Sequence, residues 1–145
     1  MDVGAVKNLV ENMIPFVKKT GVIADELTPT KVKLRLPFDA SNLNPMGILH
    51  AGATFTLAET CAAAICLMAL GHTVMFIGKS VDIRFKRPGK GDLLAIAQLT
   101  PADAQKIVDG ALANGKLDAP ITVDVTDATG EPVAAATITM SVRRL

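Results

Sequence analysis

The residues best suited to chemistry lie between Asn44 and Glu59, where an amide, a histidine and a carboxylate stand among small residues. The apolar run after His50 is long enough for a helix, and N–H groups in the first turn of a helix have no partner inside it. Such an end binds a carbonyl oxygen or an anion, assisted by the helix dipole. Glu59 is the single charge further along this run, and burial raises the pKa of a carboxylate toward the range of acid–base chemistry.

Each of these residues also has a structural interpretation. His50 could cap the helix, and Glu59 could be a structural carboxylate bonded to a neighbouring backbone group. Gly47 and Gly52 could simply permit turns and close packing. The occurrence of all of them at these spacings favours a functional site.

The apolar spacing predicts the elements that position this stretch. In order they are a helix over 3–19 interrupted at Pro15, a hairpin over 22–38 turning at 28–30, a loop over 37–47, a long apolar helix ending at Gly71, strands over 74–86 and 92–99, a helix over 101–114 capped by Thr100, and a hairpin of strands 121–125 and 133–142. Turns join most neighbouring strands, which favours antiparallel pairing. The pattern predicts one α+β domain over residues 1–145, with a curved, mainly antiparallel sheet wrapped around one long apolar helix.

Composition argues against whole classes of partner. Lys and Arg number 15 and Asp and Glu 14, and the resulting net charge of +1 gives no overall attraction to nucleic acid or an acidic membrane. Aromatic residues make up 3% of the chain, too few for a base-stacking surface. The two histidines are too separated for a typical zinc site, so no metal is expected. The apolar run from Ala51 to Leu70 has the length of a membrane span, but Glu59 at its middle and its Ala and Thr content favour a buried core helix.

The cysteines and the N-terminal residues bear on location. Cys61 and Cys66 lie five residues apart in the predicted helix, which is poor geometry for a disulfide. They are expected to be small buried residues in a reducing compartment. Residues 1–13 lack a basic start followed by an apolar core, so we expect no signal peptide and a cytoplasmic location.

The spacing Asn-x-x-Gly-x-x-His-x-Gly from Asn44 to Gly52, with an acidic residue nine positions after the histidine, resembles the signature of hotdog-fold acyl-CoA thioesterases. It is most similar to the PaaI-like and 4-hydroxybenzoyl-CoA types. The order of elements is similar too, so the resemblance covers most of the chain. Arg87-Pro88 after a strand, followed by Gly91-Asp92, is another recurrent feature of these proteins. The helix predicted between strands 4 and 5 replaces a turn of many relatives and indicates a side branch.

The resemblance implies a role for each residue of the motif. Glu59 matches the catalytic carboxylate, which acts as a general base or as a nucleophile. Ala51 matches a position, usually glycine, whose backbone N–H holds the thioester carbonyl. Asn44 matches an amide that holds the attacking water or the substrate, and His50 matches the histidine that supports the loop.

The resemblance also implies residues that bind the substrate. The strand hydroxyl of many relatives falls at Gly78 here, and the nearest hydroxyl is that of Ser80. A basic cluster at the end of the same strand could receive the phosphates of coenzyme A, although a solvated strand face is the competing interpretation for any single member. The predicted substrate-binding residues are Gly47, Gly52, Ser80, Arg84, Lys86 and Arg87.

The helix geometry implies self-association. Nine residues place His50 and Glu59 on opposite sides of a helix, about 13.5 Å apart along its axis. Two antiparallel copies of the helix would instead bring Glu59 of one chain near Ala51 and Asn44 of the other. We therefore expect a homodimer, or a tetramer of such dimers, with composite sites. No organic cofactor is expected, because the coenzyme A moiety belongs to the substrate.

These expectations leave more than one function open. The first is hydrolysis of an acyl-CoA thioester to the free acid and coenzyme A. The second is a hotdog domain that binds acyl-CoA without turning it over, as a sensor or carrier, which the alanine at 51 and the missing strand hydroxyl favour. The third, hydration or dehydration of an acyl thioester, is disfavoured because the loop lacks the His and Asp or Glu spacing of those enzymes.

Overall fold

In the computed structural model, which describes residues 2–145, six strands form one sheet that is flanked by helices. Met1, part of the predicted domain, lies outside the described residues. The elements are α1 (Val3–Asn8), α2 (Pro15–Lys18), β1 (Ile23–Leu27), β2 (Lys31–Leu36), α3 (Ala51–Ala69), β3 (Val74–Phe85), β4 (Leu93–Gln98), α4 (Pro101–Asn114), β5 (Lys116–Asp127) and β6 (Pro132–Arg144). The strand order is β1-β2-β4-β5-β6-β3, and every neighbouring pair is antiparallel.

Helix α3 lies at the centre of the core. Its length and composition would let it cross a membrane, but most of it is buried inside the fold. Leu57, Cys61 and Ile65 are fully buried in α3, and the inner face of β2 contributes the fully buried Val32 and Leu34. A curved antiparallel sheet around one long apolar helix is the fold class that the sequence predicted.

The N-terminal helix is divided into three pieces. A single π-helical segment, Leu9–Met13, follows α1, and Ile14 is extended before Pro15 begins α2. The break at Pro15 was predicted, because proline disfavours helical backbone in the residue before it. The π segment was not predicted.

The same N-terminal segment covers one edge of the sheet. The Glu11 carboxylate accepts a hydrogen bond from the Ala24 N–H at 2.9 Å, and Lys7 Nζ donates to the Ala24 carbonyl at 2.9 Å. These side chains occupy backbone groups of β1 that would otherwise be open for pairing with another strand.

Strand β5 begins five residues earlier than the prediction, at Lys116 instead of Ile121. Pro120 lies within this extension, although proline cannot donate to a ladder. The pairing explains why proline is accepted: β4 pairs only with residues 123–127 of β5, whereas β6 pairs with residues 116–126. Pro120 therefore lies in a part of β5 that has a neighbour on one side only.

A β-bulge interrupts β3 near its middle. Gly78 pairs with Met140 and Ser80 with Thr139, so Lys79 is an extra residue on β3. Phe76 before the bulge and Val81 after it both pack against the core. Side chains alternate between the two faces of a strand, so the bulge places Gly78 on the inner face and Ser80 on the solvent face.

Candidate active site

The loop before α3 is tied to the rest of the fold at both ends. The buried Asn42 donates through Nδ2 to the Thr20 carbonyl at 2.7 Å, and its own carbonyl accepts from the His50 N–H at 2.8 Å. Leu43 and Leu49 form an antiparallel bridge that closes the loop between them. The segment that carries Asn44 is thereby held as a hairpin against the start of α3.

The turn between β3 and β4 packs directly on this loop. Leu49 N–H donates to the Gly89 carbonyl at 2.9 Å. A Cβ atom at position 89 would lie 3.1 Å from Leu49 Cβ and 3.3 Å from Leu93 Cδ1, closer than ordinary contact. Glycine at 89 is therefore needed for the approach of the two backbones.

The side chain of Asn44 divides its hydrogen-bonding capacity. Its Oδ1 accepts from the Met46 N–H at 2.9 Å and from the Ile48 N–H at 3.4 Å. Gly47, at a φ of 74° that favours glycine, completes the turn by donating its N–H to the Asn44 carbonyl at 3.0 Å. The Nδ2 group donates to no residue of 2–145, so the amide holds the loop through its oxygen and keeps its nitrogen free.

The first turn of α3 leaves one N–H without an acceptor. His50 Nδ1 accepts from the Gly52 N–H at 2.8 Å, and the His50 carbonyl accepts from Ala53 at 2.9 Å and Thr54 at 3.2 Å. Ala51 N–H has no hydrogen-bond partner within the described chain. The contacts support the capping interpretation of His50, and they leave Ala51 as the donor available to a ligand.

Gly52 belongs to the same capping arrangement. A Cβ atom at this position would lie 3.0 Å from His50 Nδ1 and 3.3 Å from His50 Cε1. Any side chain at 52 would displace the ring from the N–H that it accepts. The His-x-Gly spacing is therefore explained by the cap.

Four of the sequence-predicted site residues meet at one cleft of about 320 Å³: Asn44, Ala51, Lys86 and Arg87. Thr54 also lines it, and the sequence analysis missed this buried hydroxyl. Its position three residues after Ala51 is the signal that could have found it, because such residues share a helix face. The remaining lining residues are Ile48, Leu49, Phe85, Pro88, Gly89 and Val133.

Other predicted residues lie elsewhere. His50 and Gly52 line a second cleft of about 280 Å³, together with Phe16 and Lys19 of the N-terminal segment. Ser80 is on the solvent face of β3, and Arg84, whose side chain is 80% exposed, pairs there with Asp82 at 3.8 Å. The structure therefore does not bring Ser80 or Arg84 to the Asn44 cleft, because the bulge reverses which residues of β3 face inward.

Glu59 lies apart from both clefts, facing the bulge in β3. It is half-buried, and this desolvation raises the pKa of its carboxyl. A Cβ atom added at Gly78 would lie 3.7 Å from Glu59 Oε1, and no hydrogen bond to this carboxylate occurs within residues 2–145. Eight residues separate it from Ala51, about 12 Å along the helix axis.

The charges beside the first cleft are basic. Arg87 makes an exposed ion pair with Glu131 at 3.3 Å, while Lys86 makes no ion pair within the described part of the chain. Among residues 2–145, no three His, Cys, Asp or Glu side chains converge to hold a metal ion. The two cysteines are buried and free, and burial raises the pKa of each thiol to about 12. Cys61 and Cys66 are therefore packed in the core as predicted.

Solved structures share this fold along the whole chain. A Pseudomonas aeruginosa protein of unknown function, PA5026, described as a probable thioesterase, is 33% identical, with a TM-score of 0.94 over 100% of this chain and 97% of its own. Thioesterase HI1161 from Haemophilus influenzae is 17% identical, with a TM-score of 0.78 over 100% and 92% of the two chains. A mutant of thioesterase PA1618 from Pseudomonas aeruginosa is 19% identical, with a TM-score of 0.77 over 100% and 96%.

The fold and these neighbours define a hotdog-fold protein of the thioesterase type, as the sequence resemblance implied. A family model described as a domain of unknown function, DUF4442, matches residues 4–142. The chain belongs to this family, which is thioesterase-like.

The capping role of His50 predicts the behaviour of two variants. His50→Ala should cost about 1 kcal/mol of stability, because the Gly52 N–H loses its acceptor. His50→Asn retains a good N-cap acceptor and should recover most of that loss. Thermal unfolding followed by circular dichroism measures both variants. Equal destabilisation by alanine and asparagine would contradict the cap.

The raised pKa of Glu59 predicts a pH-dependent effect on folding. In the pH range between the unfolded and folded pKa values the native state binds more protons, so stability falls as pH rises through the raised folded pKa. Glu59→Gln removes this loss and should raise the melting temperature at pH 7. The gain should vanish below pH ~4, where the wild-type carboxyl is protonated in both states. Glu26→Gln, on the partly exposed edge strand β1, is the matched control, and an equal gain there would rule out burial of Glu59 as the cause.

Proposed function

We propose that this protein hydrolyses acyl-CoA thioesters to the free acid and coenzyme A. The observation that carries the proposal is the Ala51 N–H, which has no partner within residues 2–145 and belongs to a residue that lines one cleft with Lys86 and with Asn44, whose amide nitrogen is also unused. Two neutral donors at the positive end of a long helix suit the oxygen of a thioester carbonyl as it gains charge. The likeness to PA5026, described as a probable thioesterase, supports the same class of reaction.

The proposed reaction uses Glu59 as a general base. Its carboxylate takes a proton from water while the water oxygen bonds to the thioester carbon, and the carbonyl electrons move to oxygen beside the Ala51 N–H. Collapse of this intermediate breaks the carbon–sulfur bond, and the thiolate of coenzyme A receives the proton from Glu59. Direct attack of Glu59 to give an anhydride, which water then hydrolyses, is the alternative for the same residue.

A single chain cannot assemble this site, since its own Glu59 and Ala51 lie about 12 Å apart along α3. Two α3 helices packed antiparallel would place Glu59 of one protomer opposite Ala51 of the other. The residue midway between positions 51 and 59 would then face its own copy. That residue is Phe55, a large apolar side chain that is 39% exposed in the isolated chain. Its exposure supports a homodimer with composite sites, or a tetramer built from such dimers.

The open edge of the sheet supports the same assembly. Within residues 2–145, strand β3 pairs with β6 alone, and it exposes Met75, Ile77 and Phe85 along its 12 residues. A long apolar edge strand is normally covered, because its free backbone groups invite pairing. The opposite edge at β1 is occupied by Lys7 and Glu11, so β3 is the edge that we propose meets the second protomer.

The basic residues of the cleft suit the coenzyme A moiety. Lys86 and Arg87 line the cleft beside Asn44 and Ala51, and both cations favour phosphate oxygens. We propose that they bind the phosphates of the substrate. Arg84, paired with Asp82 on the solvent face, is not included in this role.

A hotdog domain that binds acyl-CoA without turnover is the second candidate. One observation favours it: the residue opposite Glu59 is Gly78, so within residues 2–145 no hydroxyl side chain bonds the carboxylate to orient it or a water. This candidate predicts tight binding of acyl-CoA with no release of thiol.

Hydrolysis is tested by free-thiol release from a panel of acyl-CoA thioesters. We expect turnover by the wild type, unaffected by chelation of metals. Glu59→Gln should lower turnover by about 100-fold or more, because the amide cannot accept the proton. Glu26→Gln, the same substitution on β1, should retain turnover. Binding of every thioester without release of thiol would replace hydrolysis by the second candidate.

The composite site is tested by mixing two impaired variants under conditions of subunit exchange. Asn44→Asp retains the Oδ1 that holds the loop but loses the free Nδ2, so its turnover should fall while the loop persists. In a mixed dimer with Glu59→Gln, one site carries both defects and the other none. When equal amounts exchange at random, half of the dimers are mixed and one of the two sites in each mixed dimer is intact. About a quarter of the wild-type activity should therefore return.

The control mixes Glu59→Gln with the double variant Glu59→Gln, Asn44→Asp, where no intact site can form. Light scattering and differently labelled protomers establish dimer size and exchange. Confirmed exchange without recovered activity would exclude the shared site, as would a stable monomer at micromolar concentration.

A further inference from the structure

Gly78 directly precedes the extra residue of the β3 bulge, but its backbone conformation does not require glycine. Glycine within a strand weakens it, by roughly 0.5–1 kcal/mol relative to alanine, and usually marks a bulge, positive φ, crowding or a close ligand. The type of bulge that needs glycine places it at positive φ, and Gly78 is not among the glycines with positive φ. Crowding does not require it either, because the nearest atom to an added Cβ is Glu59 Oε1 at 3.7 Å, an ordinary contact. This contrasts with Gly89, where an added Cβ would meet Leu49 at 3.1 Å.

The absent side chain leaves an open space beside a functional group. Gly78 lies on the inner face of β3, toward α3, and the apolar residues Phe76 and Val81 on either side of it along this face pack against the core. The half-buried carboxylate of Glu59 faces this space and receives no hydrogen bond from residues 2–145. Position 78 therefore leaves room in front of the proposed base, and its neighbours along the inner face of β3 are apolar.

The distance to Glu59 identifies which part of a substrate would occupy the space. In the proposed reaction a water lies between Glu59 and the thioester carbon, within hydrogen-bond distance of the carboxylate and about 3–3.5 Å from that carbon. The groups on the carbon next to the carbonyl then lie beside this water, near the volume that a Cβ at 78 would enter at 3.7 Å from Glu59 Oε1. A side chain at 78 would compete with those groups for the same volume.

From this geometry we propose that Gly78 is a specificity-determining residue, which lets the site accept acyl groups branched at the carbon next to the thioester carbonyl. The proposal rests on the proposed thioester hydrolysis and adds a substrate class to it. The branch of the acyl group would occupy the space in front of Glu59. The apolar side chains of Phe76 and Val81 beside Gly78 favour hydrocarbon substituents over charged ones.

Two isomeric substrates isolate this property. Isobutyryl-CoA and n-butyryl-CoA have the same composition and differ only in branching beside the carbonyl. The wild type should give similar kcat/KM values for the two. Gly78→Ala should lower the ratio of kcat/KM for isobutyryl-CoA to that for n-butyryl-CoA about tenfold, and Gly78→Val should lower it further, because one methyl group in a hydrophobic site discriminates on that scale.

Gly91→Ala is the matched control. Gly91 also lacks positive φ, and no atom lies within 4 Å of an added Cβ, so this variant makes the same substitution in open space. Its ratio should equal that of the wild type. Circular dichroism and thermal unfolding confirm that each variant is folded. A folded Gly78→Ala with an unchanged ratio, or with equal losses on both isomers, would overturn the proposal.

Binding separates this inference from the proposed hydrolysis. Stable ketone analogues, with a CH₂ between sulfur and an isopropyl or n-propyl carbonyl, can be titrated calorimetrically against the same variants. Gly78→Ala should weaken the isopropyl analogue selectively, by about tenfold in Kd. If the wild type hydrolyses no thioester but the Kd ratio shifts, hydrolysis fails and the role of Gly78 stands. If hydrolysis occurs and neither ratio shifts, only the role of Gly78 fails.

Discussion

Helix α3 is apolar around most of its circumference, and no single face of a sheet can remove such a helix from water. The chain contains five phenylalanines and neither tryptophan nor tyrosine. Within residues 2–145 the buried core consists of Val, Leu, Ile, Ala, Met and Cys side chains. The sheet therefore curves around the helix, and small residues such as Ala58 and Ala62, both fully buried, allow close packing. The site residues inherit their positions from this arrangement, because the helix start, its carboxylate and the facing strand belong to one packed unit.

The sheet that wraps the helix has two edges, one covered at β1 and one open at β3. At β1, Lys7 and Glu11 occupy both backbone groups of Ala24, which removes a place where another strand could pair. At β3, the backbone and several apolar side chains stay open. The exposed side of α3, marked by Phe55 and Glu59, is likewise incompletely covered. A second protomer that covers these surfaces is the assembly on which the proposed chemistry depends.

In the loop before α3, most hydrogen-bond donors have partners within the loop and the first helical turn, and a few donors remain free to bind a ligand. His50 takes up three first-turn N–H groups through its ring and its carbonyl, and Asn44 holds the turn through its oxygen. Ala51 N–H and Asn44 Nδ2 remain, and both belong to residues that line the same cleft. Because the surrounding hydrogen bonds fix the loop, these donors are held in position before a substrate arrives, which is the condition for stabilising a developing charge.

Much of the fold follows from short-range patterns in the sequence. The hairpin predicted over 22–38 is confirmed, and its second strand alternates the buried Val32, Leu34 and Leu36 with basic residues. Thr100 followed by Pro101 predicted the start of α4, which is also confirmed. The motif from Asn44 to Gly52, with Glu59 after it, indicated the fold of the whole chain. Each of these signals depends on neighbours within a turn or a strand, so the sequence carries it directly.

The tertiary structure decided which side chains face each other. The bulge at Lys79 depends on pairing with a strand about 60 residues away in the sequence, and one extra residue reverses every facing position beyond it. Ser80 and Arg84, chosen from the sequence, consequently face solvent, while Gly78 faces Glu59. Pro120 could enter β5 only because β4 ends before reaching it. The sequence by itself determined the elements, the central helix and the motif; strand register, a property of paired chains rather than of local spacing, decided which residues meet at the site.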